Sequence, residues 1–399
     1  MNILIISDMP PCREYTAGLV EETLCNFLIN NKINFSLLIV QSDGIKARIP
    51  RNIRDKAGKI VFFRKNSEQC NGLGAISKNL QLTFNEYYSS IVLPRKAEKE
   101  FSGTTFDLIW GIIQGQTLVN FVQSFSQKLN IKYNIQLWDP IEWWMLENKF
   151  PPLFKKRLHQ QFSKLLSHSH YCLSASPKMS EVLAREFGCN TTELMPSLPQ
   201  LSNINLKIKN KRNSPRYFKI IFSGQKYARK ELIKFLETID SLNWIFEGKK
   251  ICFNIYSNSV DEEIFDRFPL VRQFCWIDQN DLHKQIFDSD LAYCPYPFDK
   301  NMSLVSELSF PGKLVSYLYC MTPVFFHGPK NSSITSFAKD NNFNYICESQ
   351  EIPSIKEVLI AALTSTTRNK EQEMLSISKV FNSKLSLECM NRNILRSLA

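Results

Sequence analysis

Short apolar runs alternate with amphipathic helical segments along nearly the whole chain, and this alternation constrains the fold more than any other feature. An apolar run at residues 2–6 is followed by a polar loop, a helical segment with one apolar face and a second apolar run at 35–40. A strand, a helix and a second strand in this order form the unit of a parallel sheet. The sequence therefore predicts an α/β fold built from parallel sheets.

The alternation stops once and then restarts. The first series of predicted strands ends at 192–195, before Pro196, and a second series begins with the strand 218–224. The stretch between them is polar, basic and poor in large apolar side chains, which favours a linker. The prediction is an N-terminal Rossmann-like domain over 1–196, a linker over 197–216, a C-terminal Rossmann-like domain over 217–380 and a helical segment over 381–399 that packs back on the N-terminal domain.

Length and composition agree with this division. The chain has 399 residues, which is too long for one ordinary core and suits two domains of roughly 150–200 residues. With 44% hydrophobic and 22% charged residues, it resembles globular proteins, and global disorder is excluded. The predicted strands cover 2–6, 35–40, 60–63, 107–113, 131–138, 170–175 and 192–195 in the first series, and 218–224, 251–257, 270–276, 291–297, 323–328 and 344–349 in the second.

Membrane spans, secretion and structural metals are not expected. No run approaches the ~20 apolar residues that cross a bilayer. The opening residues have no basic segment and read as a first strand. Eleven cysteines are scattered without zinc-finger spacing, which predicts free thiols in a reducing compartment and hence a cytoplasmic protein.

The basic residues are clustered. The net charge is +11, and basic side chains are concentrated at 46–65 and at Lys155, Lys156 and Arg157. A nucleic acid, an anionic membrane or a phosphorylated ligand would suit this charge. The segment 151–166 has Phe and Leu at helical spacing beside these cations, which fits either attachment to an anionic membrane surface or ordinary core packing. Nucleic acid is the least favoured partner because no recognised motif accompanies the charge.

The segment from Asp290 to Pro323 is the strongest candidate for ligand chemistry. A predicted strand ends at Pro295, and the turn Ser309, Phe310, Pro311 and Gly312 leads into a helix that begins at Lys313. Backbone amides at such a turn can hold a diphosphate, and the lysine can pair with it. A Gly/Pro turn with a solvated lysine is the alternative interpretation.

Four stretches resemble the GT-B glycosyltransferases, particularly glycosyltransferase family 4. They are YCLSASPKMSEVLAREFG, ELMPS, SDLAYCPYP and SFPGKLVSYLYCMTPVFF. Each motif is short, but their order and spacing match the family across nearly the whole chain. The resemblance implies two Rossmann-like domains facing a central cleft, with a nucleotide-sugar donor in the C-terminal half. Because no DxD motif stands at a strand end, we expect no obligatory cofactor or metal.

The resemblance also assigns the donor residues. A basic residue after the first C-terminal strand contacts the donor phosphates in the family, and Lys230 fits this position best because it begins a helix. The family's ribose-binding Glu is replaced here by Ser316, and Glu307 is the proposed substitute. The full donor set is Gly224, Lys226, Arg229, Lys230, Trp276, Ile277, Glu307, Ser309, Pro311, Gly312, Lys313 and Ser316.

Candidates for catalysis and acceptor binding lie in the N-terminal half. Asp139 follows the strand 131–138, where a carboxylate at the carboxyl end of a strand can act as a general base, and Asp8 after the first strand is the second candidate. Trp138, Glu142 and Trp143 surround Asp139 in sequence, and aromatic rings can stack on sugars. The family resemblance adds Gly18 to this acceptor set. We expect the histidines, including His327, to lie outside the chemistry, with His327 at the surface.

These observations predict a hexosyl-transferring enzyme that builds a bacterial surface polysaccharide or lipopolysaccharide on a glycan or lipid-linked acceptor. It would be cytoplasmic, with peripheral attachment to the inner face of the membrane. Two alternatives remain open at this point. One is a non-catalytic subunit of the same fold that partners an active transferase, which Ser316 favours; the other is a nucleotide-sugar epimerase.

Overall fold

The computed structural model describes residues 1–69, 74–201, 216–257, 261–275, 277–365 and 367–399. The chain forms two compact units, the first comprising Met1–Leu194 with Asn393–Ala399 and the second Met195–Arg392. Most of the expected linker, residues 202–215, lies outside the described residues.

The described strands of the first unit form one parallel sheet in the order β3-β2-β1-β4-β5-β6-β7. The strands are β1 (Asn2–Ser7), β2 (Asn34–Gln41), β3 (Ile60–Arg64), β4 (Leu108–Ile112), β5 (Tyr133–Leu137), β6 (Tyr171–Ser174) and β7 (Thr191–Glu193). The sequence order of the strands reverses between β1 and β4. In doubly wound sheets this reversal is where ligands bind, beyond the carboxyl ends of the strands.

Eight helices connect these strands within the described residues: α1 (Thr16–Asn30), α2 (Arg51–Arg54), α3 (Ala75–Tyr87), α4 (Leu93–Glu100), α5 (Gly115–Leu129), α6 (Ile141–Glu147), α7 (Pro152–Ser167) and α8 (Pro177–Phe187). A π-helical turn, Tyr88–Val92, joins α3 to α4. The predicted bounds of α8 are confirmed by its caps. Ser176 Oγ accepts a hydrogen bond from Met179 N at 3.0 Å, and Gly188 ends the helix at φ +66°, a conformation that favours glycine.

Helix α7 packs its apolar face into the core. Its buried side chains are Phe154, Leu158, Phe162, Leu165 and Leu166. The core-packing interpretation of the segment 151–166 is therefore confirmed, and the expectation that this apolar face meets a membrane is wrong. Among the Phe and Leu residues of this segment, only Leu153 is largely exposed.

The second unit repeats the architecture with one addition. Its described strands are β8 (Tyr217–Ser223), β9 (Ile245–Phe246), β10 (Lys249–Tyr256), β11 (Val271–Phe274), β12 (Leu291–Pro295), β13 (Val324–His327) and β14 (Ile346–Cys347). They follow the parallel order β11-β10-β8-β12-β13-β14, and β9 pairs antiparallel with β10. The sequence order reverses between β8 and β12, which marks their carboxyl ends for ligand binding.

The described helices of the second half of the chain are α9 (Arg229–Asp240), α10 (Glu262–Arg267), α11 (Gln279–Phe287), α12 (Ser303–Leu308), α13 (Gly312–Tyr319), α14 (Ser333–Asp340), α15 (Ile352–Leu363), α16 (Thr367–Val380) and α17 (Leu387–Leu398). The last residues of α17 belong to the first unit. Asn134 Nδ2 donates to Ser397 O, and Asn393 Nδ2 donates to Glu193 O, each at 2.8 Å.

Two further observations bear on the expectations above. No helix in the described ranges is long and apolar enough to cross a membrane. The ten cysteines within those ranges are all free thiols.

Candidate functional site

The carboxyl end of β8 brings two of the predicted donor residues together. Gly224 follows the strand at φ +95°, and a Cβ built on it would lie 3.4 Å from Lys313 Cε and 3.7 Å from Lys313 Nζ. The lysine side chain therefore extends across the face of the glycine turn. Its ammonium donates to Gln225 O at 3.2 Å.

Aromatic rings supply the rest of this lysine's surroundings. Lys313 Nζ lies 4.3 Å from the centroid of Phe222 and 4.8 Å from that of Tyr227. No ion pair to Lys313 occurs among the described residues. Burial lowers the pKa of Lys313 to about 8, against a small opposing effect of Cys294. Ring faces attract a cation but do not neutralise it, so this ammonium is the natural counter-charge for an anion.

Tyr317 on α13 fixes the position of this turn. Its hydroxyl accepts from Ser223 N at 2.8 Å and from Ser223 Oγ at 3.1 Å. Burial raises the pKa of the Tyr317 hydroxyl. Because Tyr317 lies one turn after Lys313, the same helix that carries the cation also binds the end of β8.

Two other basic candidates of this region, Arg229 and Lys230, have acidic partners. Arg229 pairs with Asp261 at 2.7 Å and with Glu263 at 2.5 Å, whereas Lys230 is largely exposed and lies 3.4 Å from Asp299. Burial lowers the pKa of Lys226. Lys313, rather than Lys230, is thus the cation placed at Gly224.

The turn before α13 is tied into the core at its first residue. Ser309 O accepts from the hydroxyl of Tyr296 at 2.9 Å and from Ser333 Oγ. Pro311 takes the N-cap position of α13, and Gly312 is the first helical residue. Leu314 N donates to Pro311 O at 3.0 Å, so Gly312 and Lys313 supply the first amides of this helix, and the start of a helix is suited to anions.

The residues expected around the ribose are placed as follows. Ser316 Oγ lies 3.3 Å from His283 Nε2 on α11, and burial lowers the pKa of that histidine. Glu307 on α12 is partly buried and has no hydrogen bond or ion pair among the described residues. Ile277 packs against the core of the second unit, and Trp276 lies outside the described residues.

The expectation that His327 lies at the surface is wrong. Its side chain is fully buried at the end of β13. His327 Nε2 lies 2.9 Å from the carbonyl of Ser349, and Nδ1 lies 2.7 Å from the Tyr293 hydroxyl. Because a carbonyl only accepts, Nε2 carries the proton. Nδ1 and the carbonyl of Glu231, 3.0 Å from the Tyr293 hydroxyl, are then the two acceptors within reach of the tyrosine proton. Burial lowers the pKa of His327 to about 4, so the neutral ring serves the core.

The first unit has its own buried lysine at the carboxyl edge of its sheet. Lys65, directly after β3, places Nζ 3.0 Å from Asp8 Oδ2 and 3.1 Å from Glu68 Oε2. Burial alone would lower the pKa of Lys65, but the charges of Glu68 and Asp8 outweigh it and raise the pKa. The candidate catalytic residue Asp8 is therefore half of an internal ion pair.

Glu68 connects this ion pair to the start of α5. Its Oε1 accepts from Thr117 N at 2.5 Å, where the positive end of the helix dipole favours a carboxylate. Gly115 opens α5 at φ +83°, and a Cβ there would overlap Glu68 Oε2 and lie 2.6 Å from Trp144 Cζ2. Only glycine fits this position.

A cavity of about 490 Å³ opens beside this cluster. Its charged and aromatic lining includes Asp8, Asp43, Arg64, Lys65, Glu68 and Trp144. A second, smaller cavity of about 30 Å³ shares Gln114 and Trp144 with it and includes Trp138, Asp139 and Trp143. Asp139 is exposed at the end of β5, and both predicted tryptophans are partly buried.

Two predicted acceptor residues have structural partners. Gly18 lies on α1, where a Cβ would overlap Cys12 Sγ, and Cys12 N donates to Gly18 O at 3.1 Å. Glu142 Oε1 lies 3.1 Å from His159 Nδ1 of α7.

Sequence reasoning missed Lys65 and Glu68 as partners. The lysine was grouped with a surface cluster over 46–65, and Glu68 was not considered. One signal was available: Lys65 lies two residues after the predicted strand 60–63, and a carboxylate stands three residues later. The contact with Asp8 joins residues far apart in sequence and needs the sheet order to be known.

Comparisons with known proteins identify the fold. No family model and no curated protein matches the sequence. Sucrose-phosphate synthase from Thermosynechococcus elongatus matches 99% of this chain and 97% of its own at 9% identity, with a TM-score of 0.71. A UDP-forming α,α-trehalose-phosphate synthase from Burkholderia xenovorans, in complex with glucose-6-phosphate, matches 100% of both chains at 11% identity, with a TM-score of 0.64.

A third solved structure is WaaG, a glycosyltransferase involved in lipopolysaccharide biosynthesis. It covers 100% of this chain and 98% of its own at 11% identity, with a TM-score of 0.59. At such low identities the matches concern the fold alone. The predicted α/β fold of two parallel-sheet units is thus confirmed, and the chain has the GT-B fold.

Proposed function

We propose that the protein is a glycosyltransferase that moves a sugar from a nucleotide-sugar donor to a glycan or lipid-linked acceptor. The observation that carries the proposal is the uncompensated ammonium of Lys313, which lies across the Gly224 turn at the chain reversal of the second sheet. The names of the structural relatives, two synthases of sugar phosphates and one glycosyltransferase, support the same class of reaction.

Lys313 would bind the donor diphosphate together with the amides at the start of α13. In the reaction the acceptor oxygen bonds to the anomeric carbon, the bond from that carbon to the diphosphate breaks, and the nucleoside diphosphate leaves. An ammonium at the diphosphate stabilises the charge that develops on this leaving group. Gly224 has no Cβ and so leaves room for a phosphate beside the lysine.

Asp139 is the proposed base that takes the proton of the acceptor hydroxyl. It is exposed at the end of β5 and stands beside Trp138 and Trp143, whose rings would stack on the sugar. Asp8 ranks second because its carboxylate already pairs with Lys65.

The first test is a thermal-shift screen of nucleoside diphosphates and nucleotide sugars, followed by measurement of nucleoside diphosphate release with candidate acceptors. We expect at least one nucleotide sugar to stabilise the protein. Stabilisation by none of them would reject the proposal.

Ser316 supports one rival, a non-catalytic subunit of the same fold. Its hydroxyl approaches His283, and a single hydroxyl cannot bind a ribose diol as a carboxylate does. Donor binding without turnover on any acceptor, together with turnover in the Ser316→Glu variant, would favour this rival.

We also propose that the acceptor belongs to a bacterial surface glycan and that the protein meets an anionic membrane from the cytoplasmic side. The support is a stripe of exposed apolar residues on α3 and the following π-helical turn, which we call the α3 stripe: Ile76, Leu80, Phe84, Tyr87 and Ile91. Their side chains are 38–78% exposed, and their spacing of three and four residues places them on one helical face.

The charges near the α3 stripe fit an anionic surface. Arg95 and Lys99 on α4, and Lys155 and Lys156 on α7, have no ion-pair partner among the described residues. Helix α7 is joined to α3 because Arg157 pairs with Glu86 at 3.0 Å. Apolar residues beside unpaired cations are typical of peripheral membrane contacts.

Co-sedimentation with vesicles tests this contact. We expect binding to phosphatidylglycerol-containing vesicles, little binding to pure phosphatidylcholine, and loss of binding in the Leu80→Ser/Phe84→Ser variant. Ile245→Ser/Leu270→Ser removes two exposed apolar side chains of the second unit and serves as the matched control. Equal binding by both variants, or self-association through the stripe in place of lipid binding, would reject the membrane assignment.

A further inference from the structure

The cavity of the first unit has the size and position of a ligand site. Its volume of about 490 Å³ lies in the range of small-molecule pockets, roughly 300–1,000 Å³. It lies beyond the carboxyl ends of β1, β3 and β4, on the edge of the sheet where the chain order reverses.

Both cations that line this cavity already have an acidic partner. Arg64 pairs with Asp43 at 2.6 Å, and Lys65 pairs with Asp8 and Glu68. The lining thus contains two cations and three carboxylates. The Arg64–Asp43 pair is exposed to solvent, whereas Lys65 is enclosed by its two carboxylate partners. Residues 70–73, which lie outside the described part of the chain, add no Lys, Arg, Asp or Glu in the sequence.

We infer that this cavity receives an acceptor saccharide that is uncharged at the bound unit, and that it excludes sugar phosphates. The inference rests on the proposed function and names the class of its acceptor. Sugar hydroxyls donate to carboxylates and amide oxygens, which this lining supplies through Asp8, Asp43, Asn66 and Asn148.

The same lining disfavours a phosphate group. Its charge would face a lining with one more carboxylate than cations, and binding to Lys65 would require a buried ion pair to break. Like charges placed together at a binding surface disfavour binding. This sets the chain apart from the structural relative that was solved in complex with glucose-6-phosphate.

Further contacts of Glu68 hold the Lys65 cluster in place. Glu68 is held by Thr117 N at the start of α5, and Gly115 keeps the backbone in contact with it. The carboxylate therefore cannot swing away to release Lys65 for a phosphate.

Saturation-transfer NMR on the full chain without donor tests the inference. The probes are matched pairs: glucose with glucose 6-phosphate, and maltose with maltose 6′-phosphate. We expect the neutral member to bind at least about tenfold more tightly than its phosphate. Tighter binding of the phosphates, or binding of neither member of either pair, would overturn the inference.

A variant that neutralises two carboxylates of the lining gives a second readout. Asp8→Asn/Asp43→Asn changes the lining from one excess carboxylate to one excess cation, and Lys65 keeps Glu68 as its partner. We expect the preference to move toward glucose 6-phosphate by about tenfold or more. Asp55→Asn/Asp266→Asn makes the same change in net charge at exposed positions outside the cavity, and the preference should stay as in the wild type. Equal shifts in both variants would indicate a general charge effect and overturn the assignment to this cavity.

The outcomes separate this inference from the proposed function. A protein that binds nucleotide sugars and transfers to a sugar phosphate keeps the proposed function and loses the inference. A protein that binds no nucleotide sugar loses the proposed function whatever its saccharide preference.

Discussion

Each unit places a largely enclosed lysine at the carboxyl edge of its sheet, yet the two lysines have opposite surroundings. Lys65 in the first unit lies between two carboxylates, and its pKa is raised. Lys313 in the second unit lies between two aromatic rings and a carbonyl, and its pKa is lowered to about 8. The ammonium of Lys65 is therefore neutralised by carboxylates within the protein. The ammonium of Lys313 has no carboxylate partner among the described residues and can bind an external anion.

The largest expected difference between the two lysines is the change in unfolding free energy when each charge is removed. Lys65→Met leaves Asp8 and Glu68 without their counter-charge, and loss of one partner of a buried pair costs about 3–5 kcal/mol of unfolding free energy. Lys313→Met removes an uncompensated cation and should change stability by less than about 1 kcal/mol or increase it. Urea denaturation of both variants measures the difference. Equal losses of unfolding free energy would contradict the different roles assigned to the two lysines.

Alanine substitution of the glycine beside each lysine should also destabilise the first unit more than the second. Gly115→Ala combines strain at φ +83° with overlap onto Glu68 and Trp144, and we expect a loss of about 2–4 kcal/mol. Gly224→Ala meets only an ordinary contact with Lys313, so backbone strain should cost about 1–2 kcal/mol. Chemical denaturation checks this order; a larger loss at Gly224 would contradict it.

Donor affinity should depend on Lys313 and less on Lys230. Lys313→Ala should weaken binding of the best nucleoside diphosphate by about 10–100-fold, because a charge-assisted hydrogen bond in a desolvated site is lost. Lys230→Ala should weaken it by about threefold or less, since Lys230 is exposed and already pairs with Asp299. Isothermal titration calorimetry measures both, with the parent nucleoside as the phosphate-free control. A stronger effect at Lys230 would assign the phosphates to the site that the sequence favoured.

The smallest expected effect is a pH dependence. The pKa of Lys313 falls from 10.5 in the unfolded chain to about 8 in the fold. The unfolded state therefore holds more protons between these values, and this residue's penalty to stability disappears as pH rises from 8 to 10.5. A shift of this size corresponds to about 3 kcal/mol at most. Because Lys313 is only partly buried, the stability advantage of Lys313→Met over wild type should shrink by about 1–2 kcal/mol across that window. A constant difference between pH 7 and pH 10.5 would show that the ammonium is well solvated.

The fold was predictable because each element carries its own local signal. The predicted strand 291–297 contains β12, and the predicted strand 323–328 contains β13, since buried parallel strands are short, nearly continuous apolar runs. Ser176, Pro177 and Gly188 mark the ends of α8 for similarly local reasons. The short antiparallel β9 was missed because two residues are too few for a period.

The site was predictable only where one segment defines it. The turn before Lys313 and the glycine after β8 are local signals, and the sequence pointed to both. What each lysine contacts depends on the sheet order, and the one local signal at Lys65, a carboxylate three residues later, does not reveal its contact with Asp8. His327 was misplaced for the same reason, because its partners Tyr293 and Ser349 lie on other strands and loops.

The division of the chain has a consequence for biosynthesis. Asn393–Ala399 belong to the first unit although the whole second unit separates them from Leu194. At about 5–20 residues per second, a ribosome needs roughly 10–40 seconds to cover that interval. Until then the amide of Asn134 and the carbonyl of Glu193 lack the partners that α17 supplies. The first unit therefore starts folding early but completes its packing only after the second has been translated.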